Sequence, residues 1–296
     1  MLHKLLRKER GVISLKYKSN SMKQRVQSPT AILYSFISDS IIKMKIQYCS
    51  DLHLEFHENN RHVNNNPILP AGEILLLAGD ILPFALNHLE YSFFDYVADH
   101  FEAVYWIPGN HEYYGYDMKK INDPIFEKIR SNVFLVNNQT IIYKEVNIIC
   151  STLWSHISPE SELLLQKRLA DFAAITVHGE PFLPLHFNQL HEIGLAFLKN
   201  EISQLTAGSK NMVVSHHVPT FLQYPPKYKK SELSQGFAVE LYDLIEDSNV
   251  SNWLYGHHHF NTPDFMLGKT TMRTNELGYT RQHEHGSYKK NAVFEM

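Results

Sequence analysis

Beyond residue 44 the chain alternates short β-branched, aliphatic or aromatic runs with longer stretches in which apolar side chains recur at i, i+3 and i+4. The short runs predict strands over 45–50, 73–78, 103–107, 133–136, 140–143, 146–151, 211–215, 252–255 and 269–274. The longer stretches predict helices over 86–101, 119–131, 160–174, 187–206 and 235–247, with Phe94, Val97, Ala98 and Phe101 as one apolar stripe. Such alternation predicts a layered α/β fold. Between 133 and 151 the spacing tightens around turns at Asn137-Asn138 and Glu145-Val146, which predicts hairpins belonging to a second sheet. Residues 157–206 read as a helical insertion hinged at Gly179-Glu180-Pro181. Residues 219–235, rich in Pro, Tyr and Lys, read as a long surface loop, and Asn64-Asn65-Asn66 as a turn.

Five of the apolar runs end in groups that bind metal ions. They deliver Asp51-Leu-His53, Gly79-Asp80, Gly109-Asn110-His111-Glu112, His216-His217 and Gly256-His257-His258-His259. In an open α/β sheet, functional groups gather beyond the carboxyl ends of strands, where all five lie. An extended chain projects i and i+2 to one side. Asp51 and His53 are therefore expected to face a site together while Leu52 packs away, and His257 and His259 likewise with His258 turned aside. Adjacent His216 and His217 cannot both face it, so one is a ligand and the other a supporting or substrate-contacting residue. Gly79 and Gly109 let the backbone approach closely. Asp80, with two carboxylate oxygens, suits a bridging role, and Glu112 is expected to orient a neighbouring histidine.

Composition narrows the setting. The 296 residues are 44% apolar and 20% charged, an ordinary globular balance. Only Cys49 and Cys150 occur, both in apolar runs, which argues against a disulfide framework and for a cytoplasmic protein. No stretch approaches the ~20 apolar residues of a membrane helix. Residues 1–43 carry nine Lys/Arg against Glu9 and Asp39, a balance of +7, which leaves 19 basic and 29 acidic residues, or −10, for the rest. An acidic body argues against nucleic acid as the partner. The basic head reads either as a targeting segment or as an extension upstream of a start at Met44, and is expected to lie outside a fold spanning 44–296.

Taken in order, the five motifs resemble the calcineurin-like metallophosphoesterase superfamily over about residues 45–275. The resemblance implies an αββα sandwich of four layers, with two mixed sheets face to face and helices outside. It implies one metal on Asp51, His53, Asp80 and His259 and another on Asp80, Asn110, His216 and His257, with Asp80 as bridge. His216 is preferred to His217 because the family ligand directly follows the strand-end position of Ser215. His111 matches the histidine that contacts the phosphoryl group or the leaving oxygen. Two cations about 3.5–4 Å apart polarise a phosphoryl group and acidify a shared water for in-line attack. Mixed nitrogen and oxygen donors suit manganese, iron or zinc.

Departures from the pattern narrow the class. Gly79-Asp80 continues as Ile81-Leu82-Pro83-Phe84, without the Asp-Arg-Gly clamp of the protein phosphatases. Glu112 stands where repair nucleases and many cyclic-nucleotide phosphodiesterases carry Asp, and His111 where lipid-sugar pyrophosphatases carry Arg. The remainder resembles uncharacterised bacterial phosphoesterases with Gly-Asn-His-Glu-aromatic, Thr152-Leu153-Trp154 and Asp171-Phe172 elements. Expected substrate contacts are His217, Tyr113, Tyr114 and Trp154. The expected activity is hydrolysis of a small or nucleotide-like phosphomonoester or phosphodiester. The alternatives are a metal-binding scaffold without catalysis and a nuclease.

Overall fold

Ile74, Leu76 and Ala78 pack into one apolar layer and the intervening Leu75 and Leu77 into another, with all five buried. A strand covered on both faces belongs to the interior of a layered fold. The structure, a computed structural model, describes residues 43–118 and 124–296. Residues 1–42 of the basic head and 119–123 of the predicted 119–131 helix lie outside the described residues. In chain order the strands are β1 (Lys45–Cys49), β2 (Ile74–Ala78), β3 (Ala103–Ile107), β4 (Ile125–Lys128), β5 (Val133–Asn137), β6 (Gln139–Tyr143) and β7 (Val146–Ser151). They continue as β8 (Thr176–Val177), β9 (Glu180–Pro181), β10 (Lys210–Ser215), β11 (Asn252–Leu254), β12 (Phe265–Leu267), β13 (Thr270–Arg273) and β14 (Val293–Glu295). The helices are α1 (His57–Asn65), α2 (Ser92–His100), α3 (Glu162–Arg168), α4 (Asp171–Ala174), α5 (Pro184–Ser203) and α6 (Tyr242–Glu246).

Two sheets of six strands result, in the orders β14-β1-β2-β3-β5-β4 and β12-β13-β11-β10-β7-β6. In each, four parallel strands are flanked by one antiparallel strand at either edge. Ile46, Ile74, Leu76 and Tyr105 of the first sheet meet Ile148, Met212, Val214 and Leu254 of the second in a shared core. Val63 of α1 and Phe93, Phe94 and Val97 of α2 cover the other face of the first sheet. Leu198 and Ile202 of α5 and Ile245 of α6 cover the outer face of the second. This is the four-layer sandwich. Parallel order within each sheet brings the loops after β1, β2 and β3, and those after β10 and β11, to a common edge.

Several elements differ from the sequence reading. Residues 125–128 of the predicted 119–131 helix form edge strand β4, antiparallel to β5. The expected hairpin at Asn137-Asn138 is instead a crossover, because β5 belongs to the first sheet and β6 to the second. Gly179-Glu180-Pro181 is no hinge: β8 and β9 form a small antiparallel ribbon, with His178 and Gly179 both at positive φ in its turn. The 160–174 helix breaks into α3 and α4, and only 242–246 of the predicted 235–247 helix is α-helical. Cys49 and Cys150 are buried free thiols. No helix among the described residues is long and apolar enough to cross a membrane.

Helix α1 escaped the periodicity because its anchor is polar. Of its nine residues only Asn59 and Val63 are buried. Asn59 Nδ2 donates to the carbonyls of Leu52 and Gly278, both at 2.9 Å, while its Oδ1 accepts from Thr280 N at 3.0 Å and Thr280 Oγ1 at 2.9 Å. One amide thus holds the helix, the loop after β1 and the 278–280 segment together. Asn59→Ala strands these buried partners and is expected to cost about 1–3 kcal/mol in urea unfolding. Asn64→Ala, on the exposed face, should leave the midpoint unchanged.

Candidate metal centre

Five of the candidate donor residues sit just past the strands in a backbone conformation that ordinary residues avoid. Asp51 (φ 57°), His53 (46°), Asp80 (55°), His257 (79°) and His259 (49°) are all left-handed. The pairing at i and i+2 does not come from an extended chain as expected: alternating left-handed residues bring the two side chains together. Such residues cost of order 1–3 kcal/mol and persist where surroundings over-determine them. Here Asp51 N donates to Gly79 O and His53 N to Asp80 O, both at 2.9 Å, and His257 N donates to the Asp51 carboxylate at 3.1 Å. The glycines answer to crowding. A Cβ on Gly79 would lie 2.2 Å from His216 Nδ1, and one on Gly109 would lie 2.2 Å from Asp80 Oδ1.

Two groups of donor atoms share Asp80. Asp51, His53, Asp80 and His259 offer atoms all within 4.8 Å of one another, and so do Asp80, His216 and His257. Asp80 Oδ2 lies 3.7 Å from His53 Nε2, whereas Oδ1 lies 3.3 Å from His216 Nε2. Asn110 Oδ1 joins the second group, 3.3 Å from His216 Nε2. Within the groups, nitrogens face nitrogens: His53 Nε2 and His259 Nε2 are 3.0 Å apart, and His216 Nε2 and His257 Nδ1 are 3.1 Å apart.

The outer nitrogens show which lone pairs are available. His216 Nδ1 donates to Ala78 O (2.8 Å), His257 Nε2 to Gly236 O (3.3 Å), His53 Nδ1 to Glu55 Oε1 (3.0 Å) and His259 Nδ1 to Glu284 Oε2 (2.7 Å). Every partner is an acceptor, so each ring directs its remaining nitrogen inward, as metal-binding histidines do. Burial holds His53 and His257 below the usual histidine range, favouring the neutral form that binds metal. Burial opposes charging His216 as well, yet Asp80 and Asp51 outweigh it and lift it to about 10. Burial alone would raise Asp80, but His216, His111 and His53 hold it well below the usual carboxylate range. The carboxylates therefore demand positive charge between these rings, and the donor set fits divalent cations.

Three acidic residues around the centre were missed or misassigned. Glu112 orients no histidine. Its Oε1 accepts from Ile81 N and Trp106 Nε1, both at 2.8 Å, and its Oε2 from Asp80 N (3.0 Å) and Gly109 N (2.7 Å). Burial and then Asp80 push its carboxyl up to about 7, while all four N–H donors favour the ionised form. Glu55, two residues beyond His53, received no role; its Oε1 accepts from both His53 Nδ1 and His111 Nδ1, the latter at 3.1 Å. The i+2 spacing Asp51-x-His53-x-Glu55 was the available signal. Asp171 Oδ1 accepts from Asn110 Nδ2 at 2.8 Å, which turns the Asn110 carbonyl oxygen toward His216. Nothing in the sequence ties position 171 to position 110.

Comparison with known proteins agrees with this geometry. Residues 44–261 match the calcineurin-like phosphoesterase family. The chain belongs to that family. As such it is a metal-dependent phosphoester hydrolase, and the family together with the His/Asp cluster points to a dinuclear divalent metal centre. The chain is 25% identical over 279 residues to an uncharacterised protein, L509, of Acanthamoeba polyphaga mimivirus, covering 85% of this chain and 96% of that one. Among solved structures, a phosphopantetheinyl hydrolase from Mycobacterium tuberculosis is similar, with a TM-score of 0.61 and 19% identity over 86% of this chain and 96% of that one. A dimetal phosphatase from Danio rerio gives a TM-score of 0.37 and 11% identity over 79% and 87% of the two chains.

In this phosphoesterase a pocket of about 360 Å³ opens over Asp80, Asn110, His111, His257 and His259. Tyr114 lines it, stacked on His111 with ring centroids 4.0 Å apart. The other expected substrate contacts do not reach it. Trp154, 2% exposed, is the centre of the insertion's core, against Tyr113, Phe182 and Phe187. Tyr113 is buried against Phe84. His217 is wholly buried between Trp154, Phe187 and His257, behind the donor layer. His258 belongs to neither donor group; its Nδ1 lies 2.7 Å from Glu276 Oε1.

Glu112→Gln turns an amide NH2 toward two of the four N–H donors and is expected to cost about 1–3 kcal/mol for each orphaned donor in denaturant unfolding. Asp171→Ala leaves the Asn110 amide held only by the Tyr114 hydroxyl at 3.2 Å, and metal analysis after reloading should find fewer tightly held divalent ions than in the parent.

Proposed function

We propose that this chain hydrolyses a small organic phosphoester, as monoesterase or diesterase, at a centre of two divalent cations. One cation is held by Asp51, His53, Asp80 and His259, the other by Asp80, Asn110, His216 and His257. The observation that carries this reading is Asp80, whose two oxygens face two separate sets of inward-directed donor nitrogens at one end of a pocket. Manganese, iron and zinc all suit the mixed donors. When bound, the cations polarise the phosphoryl oxygens and lower the pKa of a water.

The protein's own groups supply the rest. Asp80 fixes the separation of the two groups and anchors the His111 backbone, whose N–H donates to Oδ1 at 2.9 Å. Glu55 holds His111 Nδ1, and the ring lies flat on Tyr114, leaving Nε2 3.4 Å from the Tyr279 hydroxyl on the pocket side. His111 is thereby placed to hydrogen-bond the phosphoryl group and to protonate the departing oxygen. Glu55 is a positioning residue that links a metal donor, His53, to that proton carrier. The pocket volume of about 360 Å³ and the acidic body favour a small substrate over a polymer.

Protein stripped of metal and reloaded with manganese is expected to turn over p-nitrophenyl phosphate, its bis-ester, or both. Absence of turnover of either, with two metals bound, would defeat the reading. Asp80→Asn should abolish both metal pairing and activity. His111→Ala should keep two metals while lowering kcat by about 10²–10⁴. Glu55→Gln should cost less than His111→Ala, about 10–100-fold. Loss of metal from His111→Ala would refute its assigned role.

A further inference from the structure

Two segments of the pocket wall take no part in the chemistry above: the end of α3 with its following turn, and the 219–237 loop. They are locked to each other and to the donor layer. Gly236 packs so closely on Leu169 that a Cβ would lie 2.4 Å from its Cδ1. Gln235 Oε1 accepts from Ser158 N at 2.8 Å, and Phe237 stacks on His257 at 4.7 Å between centroids. Val218 and Val239 hydrogen-bond at the base of the loop, with Val239 N donating to Val218 O at 3.0 Å. The expected surface loop is therefore a built wall rather than a loose cover.

That wall is aromatic, with Tyr224, Tyr228 and Phe237 contributed by the loop and Tyr114 and Tyr279 by the region of the metal centre. It contains one Lys or Arg side chain, Arg168. Arg130 and Arg273 are each paired with an aspartate, but the side chain of Arg168, exposed at the pocket mouth, makes no ion pair or hydrogen bond among the described residues. The carboxylates of the pocket are already engaged: Asp171 by Asn110, Glu284 by His259, and Asp80 by the histidines. A cation in the last turn of a helix also offsets the helix dipole. That effect does not require it to line a pocket whose far side carries the donor groups that would hold the cations.

Resting on the phosphoesterase reading, we infer that the pocket takes a nucleotide-like phosphoester carrying a second phosphate. Arg168 engages that second phosphate, and the planar part of the substrate lies against the tyrosines. A volume of about 360 Å³ suits one such molecule and not a strand. A guanidinium on a phosphate supplies charge-assisted, paired hydrogen bonds, and aromatic faces stack on any base. Arg168 is then a specificity residue that acts on the non-transferred group.

The test compares adenosine 5′-monophosphate with adenosine 3′,5′-bisphosphate on the full manganese-loaded chain. The parent is expected to favour the bisphosphate by about tenfold in kcat/KM, through KM. Arg168→Gln should bring that ratio near one while still holding two manganese ions, and Arg168→Lys should recover part of it. An unchanged ratio in Arg168→Gln, or no preference in the parent, overturns the inference. So does turnover of nitrophenyl phosphates with neither nucleotide hydrolysed, an outcome that leaves the phosphoesterase reading intact. No turnover of any ester with both metals bound overturns the phosphoesterase reading itself.

Discussion

The site is organised around a buried carboxylate that neither lines the pocket nor belongs to a group of candidate metal donors. Glu112 gathers the N–H groups of Asp80, Ile81, Gly109 and Trp106 onto two oxygens. The loops after β2 and β3 have to come together without side chains between them, which is why glycine stands at 79 and 109. A neutral side chain at 112 could not accept from four donors at once. With this anchor in place, Asp80 is held in left-handed backbone with its two oxygens divided between the donor sets. A shorter carboxylate at that position would have to draw the two loops closer by about one methylene length to reach all four groups.

Around that anchor the electrostatics are unbalanced in a directed way. Two aspartates and three imidazoles are buried within a few ångströms, with His259 half-buried beside them, and each imidazole is fixed from behind by a carbonyl or carboxylate. Burial keeps His53 and His257 neutral, while the aspartates pull positive charge toward His216 and His259. Facing nitrogens about 3 Å apart are satisfied only by a shared proton or a cation. Left-handed backbone at five of the donor residues is the conformational cost of this convergence.

The insertion contributes more than bulk. Trp154, expected at the rim, is the plug that joins the insertion to the second sheet through Phe182, Phe187 and His217. Packing there brings α4 close enough for Asp171 to set the Asn110 amide, and brings α3 to the pocket wall. The same core therefore connects the candidate metal centre to the aromatic wall of the pocket.

Strand-end runs of Val, Ile and Leu, with Asp, Asn and His immediately after them, made the layered α/β class and the candidate donor residues that cluster around Asp80 legible in the sequence. Those features are local: a strand's hydrophobic run and the residue that follows it are neighbours in the chain. Failures came where distance in sequence is long or the anchor is polar. Helix α1 has no apolar stripe because Asn59 holds it, and β4 joined β5 because edge pairing outweighed a helical pattern. The partners of Glu112, the sharing of Glu55 between His53 and His111, and the grip of Asp171 on Asn110 span from 2 to 61 residues along the chain. Composition and periodicity determined which groups exist and near which strand they lie. Only the packing of two sheets and the insertion decided which way each side chain points, since that direction is set by hydrogen bonds and contacts made across the fold.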